Sequence, residues 1–153
     1  MAGPKNKTIL IVDDESSVVE FLRFAIERDG FDVISTDNGN NAIMLLTKHK
    51  VDLILLDMMM PGKSGYELVK LMQSGDYRDI PIIVMSGRFV EDSYQNTLKE
   101  EPNVKDYMVK PVKVEMLLYR VNTLLGTLSE AEKRIKEHSE QAIKDDDSWK
   151  IQF

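Results

Sequence analysis

Five side chains carry chemistry that makes sense together: Asp13, Asp14, Asp57, Ser86 and Lys110. Carboxylates crowded into one small space raise one another's pKa and destabilise a fold unless a cation neutralises them. An all-oxygen set with open positions suits Mg²⁺, with Mn²⁺ as the alternative. A lysine adds a compact positive charge and a serine a hydroxyl donor. Those are the groups needed to hold the oxygens of a phosphoryl group whose charge spreads in the transition state. A carboxylate is nucleophilic without first losing a proton, so Asp57 can attack phosphorus with no general base and form an acyl phosphate. The chemistry implied is phosphoryl capture.

These residues lie far apart in sequence, so the fold must gather them. Thr8 to Val12 is a continuous apolar, β-branched run that ends at Asp13-Asp14, the pattern of a strand buried on both faces. A helix is predicted directly after it, with Ser17-x-x-Glu20 as a capping box, Val18, Phe21, Leu22 and Ala25 on one face, and Gly30 at its end. The unit recurs. Phe31 to Thr36 reads as a strand and Asn38-Gly39 as punctuation, followed by a helix with Ala42, Leu45, Leu46 and His49 on one face. Val51 to Leu56 is a third strand, Tyr66 to Gln73 a short helix, and Ile82 to Met85 a fourth strand introduced by Pro81. A weaker helix near Asp92 to Leu98, a short strand at Asp106 to Val109, and a helix with Val114, Leu117, Leu118 and Val121 on one face complete five β-α units. Such alternation predicts an α/β fold, a doubly wound parallel sheet with helices on both faces and ligands at the carboxyl ends of the strands. Asp13-Asp14, Asp57, Ser86 and Lys110 all stand at or beside such ends.

Composition narrows the classes. The chain has 153 residues, 42% hydrophobic and 30% charged, which is one domain plus an appendage. Its net charge is −6 with lysines and arginines scattered, so direct nucleic-acid binding is not expected. No cysteine is present, which removes disulfides and thiolate chemistry. No apolar run approaches a signal peptide or a membrane span, so no membrane association and a cytoplasmic location are expected.

The motifs Asp13-Asp14-Glu15, Asp57 with Met60-Pro61 and Gly65, Ser86-Gly87, and Tyr107-x-x-Lys110-Pro111 stand in a joint order that resembles the receiver domain of bacterial two-component response regulators, from about Lys7 to Leu125. The resemblance implies a flavodoxin-like five-stranded sheet of order 2-1-3-4-5. It implies that Asp14, Asp57 and the Met59 backbone carbonyl ligate Mg²⁺, with Asp13 acting mainly through water, and that Ser86 and Lys110 hold the phosphoryl oxygens. It implies a cis Lys110-Pro111 bond, and a switch in which Ser86 moves toward the phosphoryl group as Tyr107 turns inward. The surface of the predicted 92–98 helix, the fifth strand and the helix that follows it would then be the output. The expected phosphodonor is a sensor histidine kinase or a histidine phosphotransfer protein. Met59 and Arg88 occupy the positions that in this family govern water access to the aspartyl phosphate. A long apolar side chain facing an arginine predicts slow self-dephosphorylation. The chain is thus expected to be a signalling phosphoacceptor that catalyses only its own phosphorylation and dephosphorylation, not an enzyme acting on other substrates.

Taken singly, each residue has an ordinary reading: Asp14 as a helix cap, Lys110 as a surface lysine, Ser86 as a turn residue. His49 and His138 have no partner ligands in the pattern and keep theirs. Met58-Met59-Met60 combines core filling with a site rim. The usual Gly-Ala pair before the fifth strand reads Asn103-Val104; Asn tolerates left-handed geometry, so the turn can survive. Aspartyl-nucleophile phosphatases usually carry a second carboxylate two residues on, where this chain has Met59. Asp13-Asp14 would repel a flavin phosphate. The alternatives are a phosphorylation-independent adaptor and a receiver fragment of a larger regulator.

The receiver is expected over 1–126, with 1–6 flexible, and a tail over 127–153. Ser129-x-x-Glu132 is a second capping box, and the 3-4 spacing of Leu128, Ala131, Ile135, His138 and Ala142 predicts a helix, either separate after Gly126 or continuous with the one before. Trp149, Ile151 and Phe153 alternate as a strand, a docking peptide or the start of another domain. A tail of that size is too short for an effector domain, so output is expected through a protein partner, with phosphorylation-dependent homodimerisation left open.

Overall fold

A computed structural model of the chain describes residues 3–58, 60, 65–87, 98 and 100–145. Five parallel strands, β1 (Thr8–Val12), β2 (Asp32–Thr36), β3 (Leu53–Asp57), β4 (Ile82–Ser86) and β5 (Val104–Val109), form one sheet of order β2-β1-β3-β4-β5. The helices are α1 (Ser16–Arg28), α2 (Gly39–Lys48), α3 (Gly65–Leu71), α4 (Val114–Leu125) and α5 (Glu130–Asp145).

Period-two alternation in the central strands sends side chains to both faces. Ile54 and Leu56 of β3 join Ala42 and Leu46 of α2 and Leu68 and Val69 of α3 in one core. Leu53 and Leu55 join Leu22 and Ile26 of α1 and Leu117 and Val121 of α4 in the other. Every residue of β3 and β4 is buried, which explains their unbroken apolar runs. Truncating one of these leucines to alanine removes about 2–5 kcal/mol of stability.

Several local expectations are corrected. The Ser17-x-x-Glu20 capping box does not form: α1 begins at Ser16, its N-cap is Glu15, and no side chain caps it. The chain turns into the helix as soon as it leaves β1, so Ser17 is already in the first turn. The buried face of α1 centres on Leu22 and Ile26, and Phe21 is 57% exposed. In α2, Asn38 caps the first turn by accepting the Asn41 N–H at 2.9 Å, while His49 is an exposed C-cap residue and not part of the apolar face. Asn103 has no positive φ; its buried carboxamide accepts a hydrogen bond from Gln73 instead, tying the turn before β5 to the end of α3. The described part of the segment expected to be flexible is anchored: the Lys5 N–H donates to Gly30 O at 2.9 Å and its ammonium reaches Asp29 at 2.9 Å.

Gly126, at φ 67°, separates α4 from α5. The Ser129 box forms in full, with Ser129 N–H donating to Glu132 Oε2 at 2.7 Å and Glu132 N–H to Ser129 Oγ at 3.2 Å. Of the helix expected over Asp92 to Leu98, only Leu98 is among the described residues, where it is helical and buried. Trp149, Ile151 and Phe153 lie outside them. No helix among the described residues is long and apolar enough to cross a membrane.

Candidate functional site

Sheet register assembles the site. Val12 pairs with Leu56, so Asp13, one residue past β1, emerges beside Asp57 at the end of β3. Asp57 pairs in turn with Met85, next to Ser86 at the end of β4, and Ser86 pairs with Val109, next to Lys110. The Lys110 N–H donates to the Ser86 carbonyl at 2.7 Å, which fixes where the lysine leaves the sheet. Asp13, Asp57 and Ser86 are buried, and Asp14 is exposed at the mouth.

The three aspartates each place a carboxylate oxygen within 4.8 Å of the others. Lys110 reaches over β4 and β3 to put Nζ 2.7 Å from Asp13 Oδ2, 3.4 Å from Asp57 Oδ2 and 3.3 Å from Glu15 Oε1. Burial pushes the lysine pKa down, but the contact with Asp13 and the charges of Asp57 and Glu15 outweigh it, and the net direction is upward. Three aspartates against one ammonium leave the cluster two charges negative. A hard divalent cation fits that deficit and that donor set, and Asp13, Asp14 and Asp57 would hold it.

The Asp13 Oδ1 atom also accepts the Glu15 N–H at 2.9 Å, so this carboxylate is turned by the first residue of the helix cap as well as by Lys110. Tyr107, paired with Val84, is half-buried, and its hydroxyl is shut away from solvent with no hydrogen-bond partner among the described residues. An unsatisfied buried hydroxyl costs about 1–3 kcal/mol, so this ring sits in a position that another arrangement could relieve. The Lys110-Pro111 bond is cis. Met59 and Arg88 lie outside the described residues.

Two contributors carried no individual role in the sequence reading. Glu15 is the second carboxylate on Lys110, signalled only as the third letter of the Asp-Asp-Glu motif. Gly65 opens α3 against the strand end: a Cβ there would lie 2.8 Å from Met58 Cα and 2.9 Å from the Asp57 carbonyl oxygen. Only glycine permits that approach.

The family model for the response regulator receiver domain matches residues 9–122. This chain belongs to that family. The receiver is 38% identical over 120 residues to the phosphate regulon transcriptional regulatory protein PhoB of Pseudomonas aeruginosa, covering 78% of this chain and 52% of that protein. It is 35% identical over 120 residues to the alkaline phosphatase synthesis transcriptional regulatory protein PhoP of Bacillus subtilis, covering 78% of this chain and 49% of that one. It thus spans about half the length of these curated relatives. Among solved structures, the receiver domain of a Francisella response regulator superposes with a TM-score of 0.70 at 28% identity, covering 79% of this chain and 98% of that one. A putative response regulator from Chloroflexus aurantiacus gives 0.71 at 29%, covering 80% and 99%. The relatives' names make them transcriptional regulators, so they lend no support to the expectation that nucleic acid plays no part.

Proposed function

We propose that this receiver takes a phosphoryl group onto Asp57 from a phosphohistidine of a sensor histidine kinase or histidine phosphotransfer protein, and that the acyl phosphate changes the surface it offers a protein partner. The observation that carries this is the Asp57 carboxylate, buried at a strand end, with the Lys110 ammonium 3.4 Å away and two more carboxylates within 4.8 Å. In the transfer, an Asp57 oxygen attacks phosphorus, the phosphorus–nitrogen bond breaks, and the imidazole leaves with the bonding pair. Bound Mg²⁺ would supply charge neutralisation for the phosphoryl oxygens. Asp13 and Asp14 would hold the cation, Lys110 would draw off charge from the phosphoryl oxygens, and Ser86 would donate to them from the end of β4. Burial of Asp57 limits water at the acceptor oxygen.

Tyr107 and Ser86 are the proposed switch, with the face of β5, α4 and the 92–98 segment as output. Met59 and Arg88 tune the lifetime toward a slow self-dephosphorylation by their residue types. A cytoplasmic setting is part of the proposal. A small phosphodonor with Mg²⁺ should label wild type and not Asp57→Ala. Equal labelling of both, or none of wild type, would favour a receiver that binds partners without phosphorylation.

A further inference from the structure

At the pole of the sheet opposite Asp57, Asn122 of α4 is 3% exposed, and all four hydrogen-bonding positions of its carboxamide are occupied. The Oδ1 atom accepts from Lys5 Nζ at 2.8 Å and from Thr127 Oγ1 at 2.6 Å. The Nδ2 atom donates to Asp29 Oδ2 at 2.8 Å and to the Leu118 carbonyl at 2.7 Å. The partners settle which way the amide points, since an ammonium can only donate and a carboxylate only accept. Lys5 closes the ring with Asp29 at 2.9 Å and lies 4.7 Å from the centroid of the Phe31 ring. One amide thereby joins four segments: the N-terminal strand lead-in, the end of α1, α4, and the link to α5.

The link is capped at both ends. The Thr127 N–H donates to the Asn122 carbonyl at 2.9 Å and the Gly126 N–H to the Thr123 carbonyl at 3.4 Å, with Gly126 left-handed, which together make a Schellman motif. That motif ordinarily brings an apolar contact near these positions; here the side chains of Asn122 and Thr127 hydrogen-bond instead. Two residues later the Ser129–Glu132 box opens α5. Only Thr127 and Leu128 lie between the two caps, and Thr127 belongs to the knot.

We infer that α5 is a rigid arm, its exit direction set by the Asn122 knot and the paired caps rather than left to a free hinge at Gly126. A helix of 16 residues is about 24 Å long, so a tilt of about 10° at its root moves its tip by about 4 Å. Any shift of α4 that carries Asn122 with it is therefore enlarged at the end of the arm. This rests on the knot alone and does not depend on phosphorylation of Asp57.

The chain contains no cysteine, so a clean spin-label pair can be placed by Lys48→Cys on α2 and Ser139→Cys on α5, both exposed positions. Double electron–electron resonance on the full chain should give one narrow distance. Asn122→Ala and Thr127→Val should each broaden it about twofold as the arm is released, with the far-ultraviolet circular dichroism spectrum of the folded chain unchanged. If Asn122→Ala does not fold, Thr127→Val and Lys5→Met carry the same comparison. A broad distribution in the parent, or an unchanged width in the folded variants, overturns the inference.

Discussion

Lys110→Met should expose the electrostatic debt of the site. Asp13 and Asp57 are 1% and 3% exposed, and their oxygens lie within 4.8 Å of each other and of Asp14. At an effective dielectric of about 20, each such pair repels by about 3.5 kcal/mol, and Lys110, at 2.7 and 3.4 Å from the two buried carboxylates, is what offsets it. Removing the cation while keeping its aliphatic bulk leaves two buried carboxylates uncompensated, a change that costs about 3–5 kcal/mol. That is a large share of a stability of roughly 5–15 kcal/mol and corresponds to a fall in Tm on the order of 10 °C. The assay is urea unfolding in chelator and again in saturating Mg²⁺. A cation that binds only the folded state adds about 2.7 kcal/mol at a hundred times its Kd, and it should add more to the more negative variant, so the gap to wild type narrows in Mg²⁺. A loss under about 1 kcal/mol in chelator, or a gap that Mg²⁺ leaves unchanged, would refute the charge accounting.

Gly65→Ala should lower the urea midpoint by an amount equivalent to about 1–3 kcal/mol and slow phosphoryl uptake, because its Cβ meets the backbone of Met58 and Asp57. Asn38→Ala, which removes the α2 cap, should cost about 1 kcal/mol in thermal unfolding. Hydrogen bonds from Ser129 hold the Glu132 carboxyl below its ordinary pKa, so its contribution to α5 is present above the usual carboxylate range, about 4.3, and is lost as pH falls through the depressed value. Circular dichroism in acid should show helix lost in that window; Glu132→Gln should abolish this component at all pH values, while Ser129→Ala, which keeps the backbone N–H to Glu132, should only reduce it.

The sheet and the site were legible because both follow from short-range pattern. Runs such as Leu53–Leu56 admit only a strand buried on both faces, and alternation with helices forces their carboxyl ends to one rim, where Asp13, Asp57, Ser86 and Lys110 follow by register. What sequence missed depends on packing between distant segments. Phe21 fits the α1 periodicity but falls outside the stripe centred on Leu22 and Ile26, which is the one that packs with Leu53, Leu55, Leu117 and Val121. The Asn103 carboxamide is recruited by Gln73, thirty residues earlier, so its type suggested a left-handed turn that tertiary contact made unnecessary. The Asn122 knot joins Lys5, Asp29 and Thr127 and carries no local signature at all. The capping box at Ser129 was readable because all of its partners sit within one turn.

Asp57 is the proposed phosphoryl acceptor. Borohydride reduction of protein treated with a small phosphodonor, followed by peptide mass spectrometry, tests it most directly, since reduction of an acyl phosphate converts the acceptor aspartate to homoserine. Homoserine at position 57 alone, dependent on Mg²⁺ and on Lys110, is the predicted result. Homoserine at another aspartate, or phosphoryl incorporation that persists in Asp57→Asn, would contradict it.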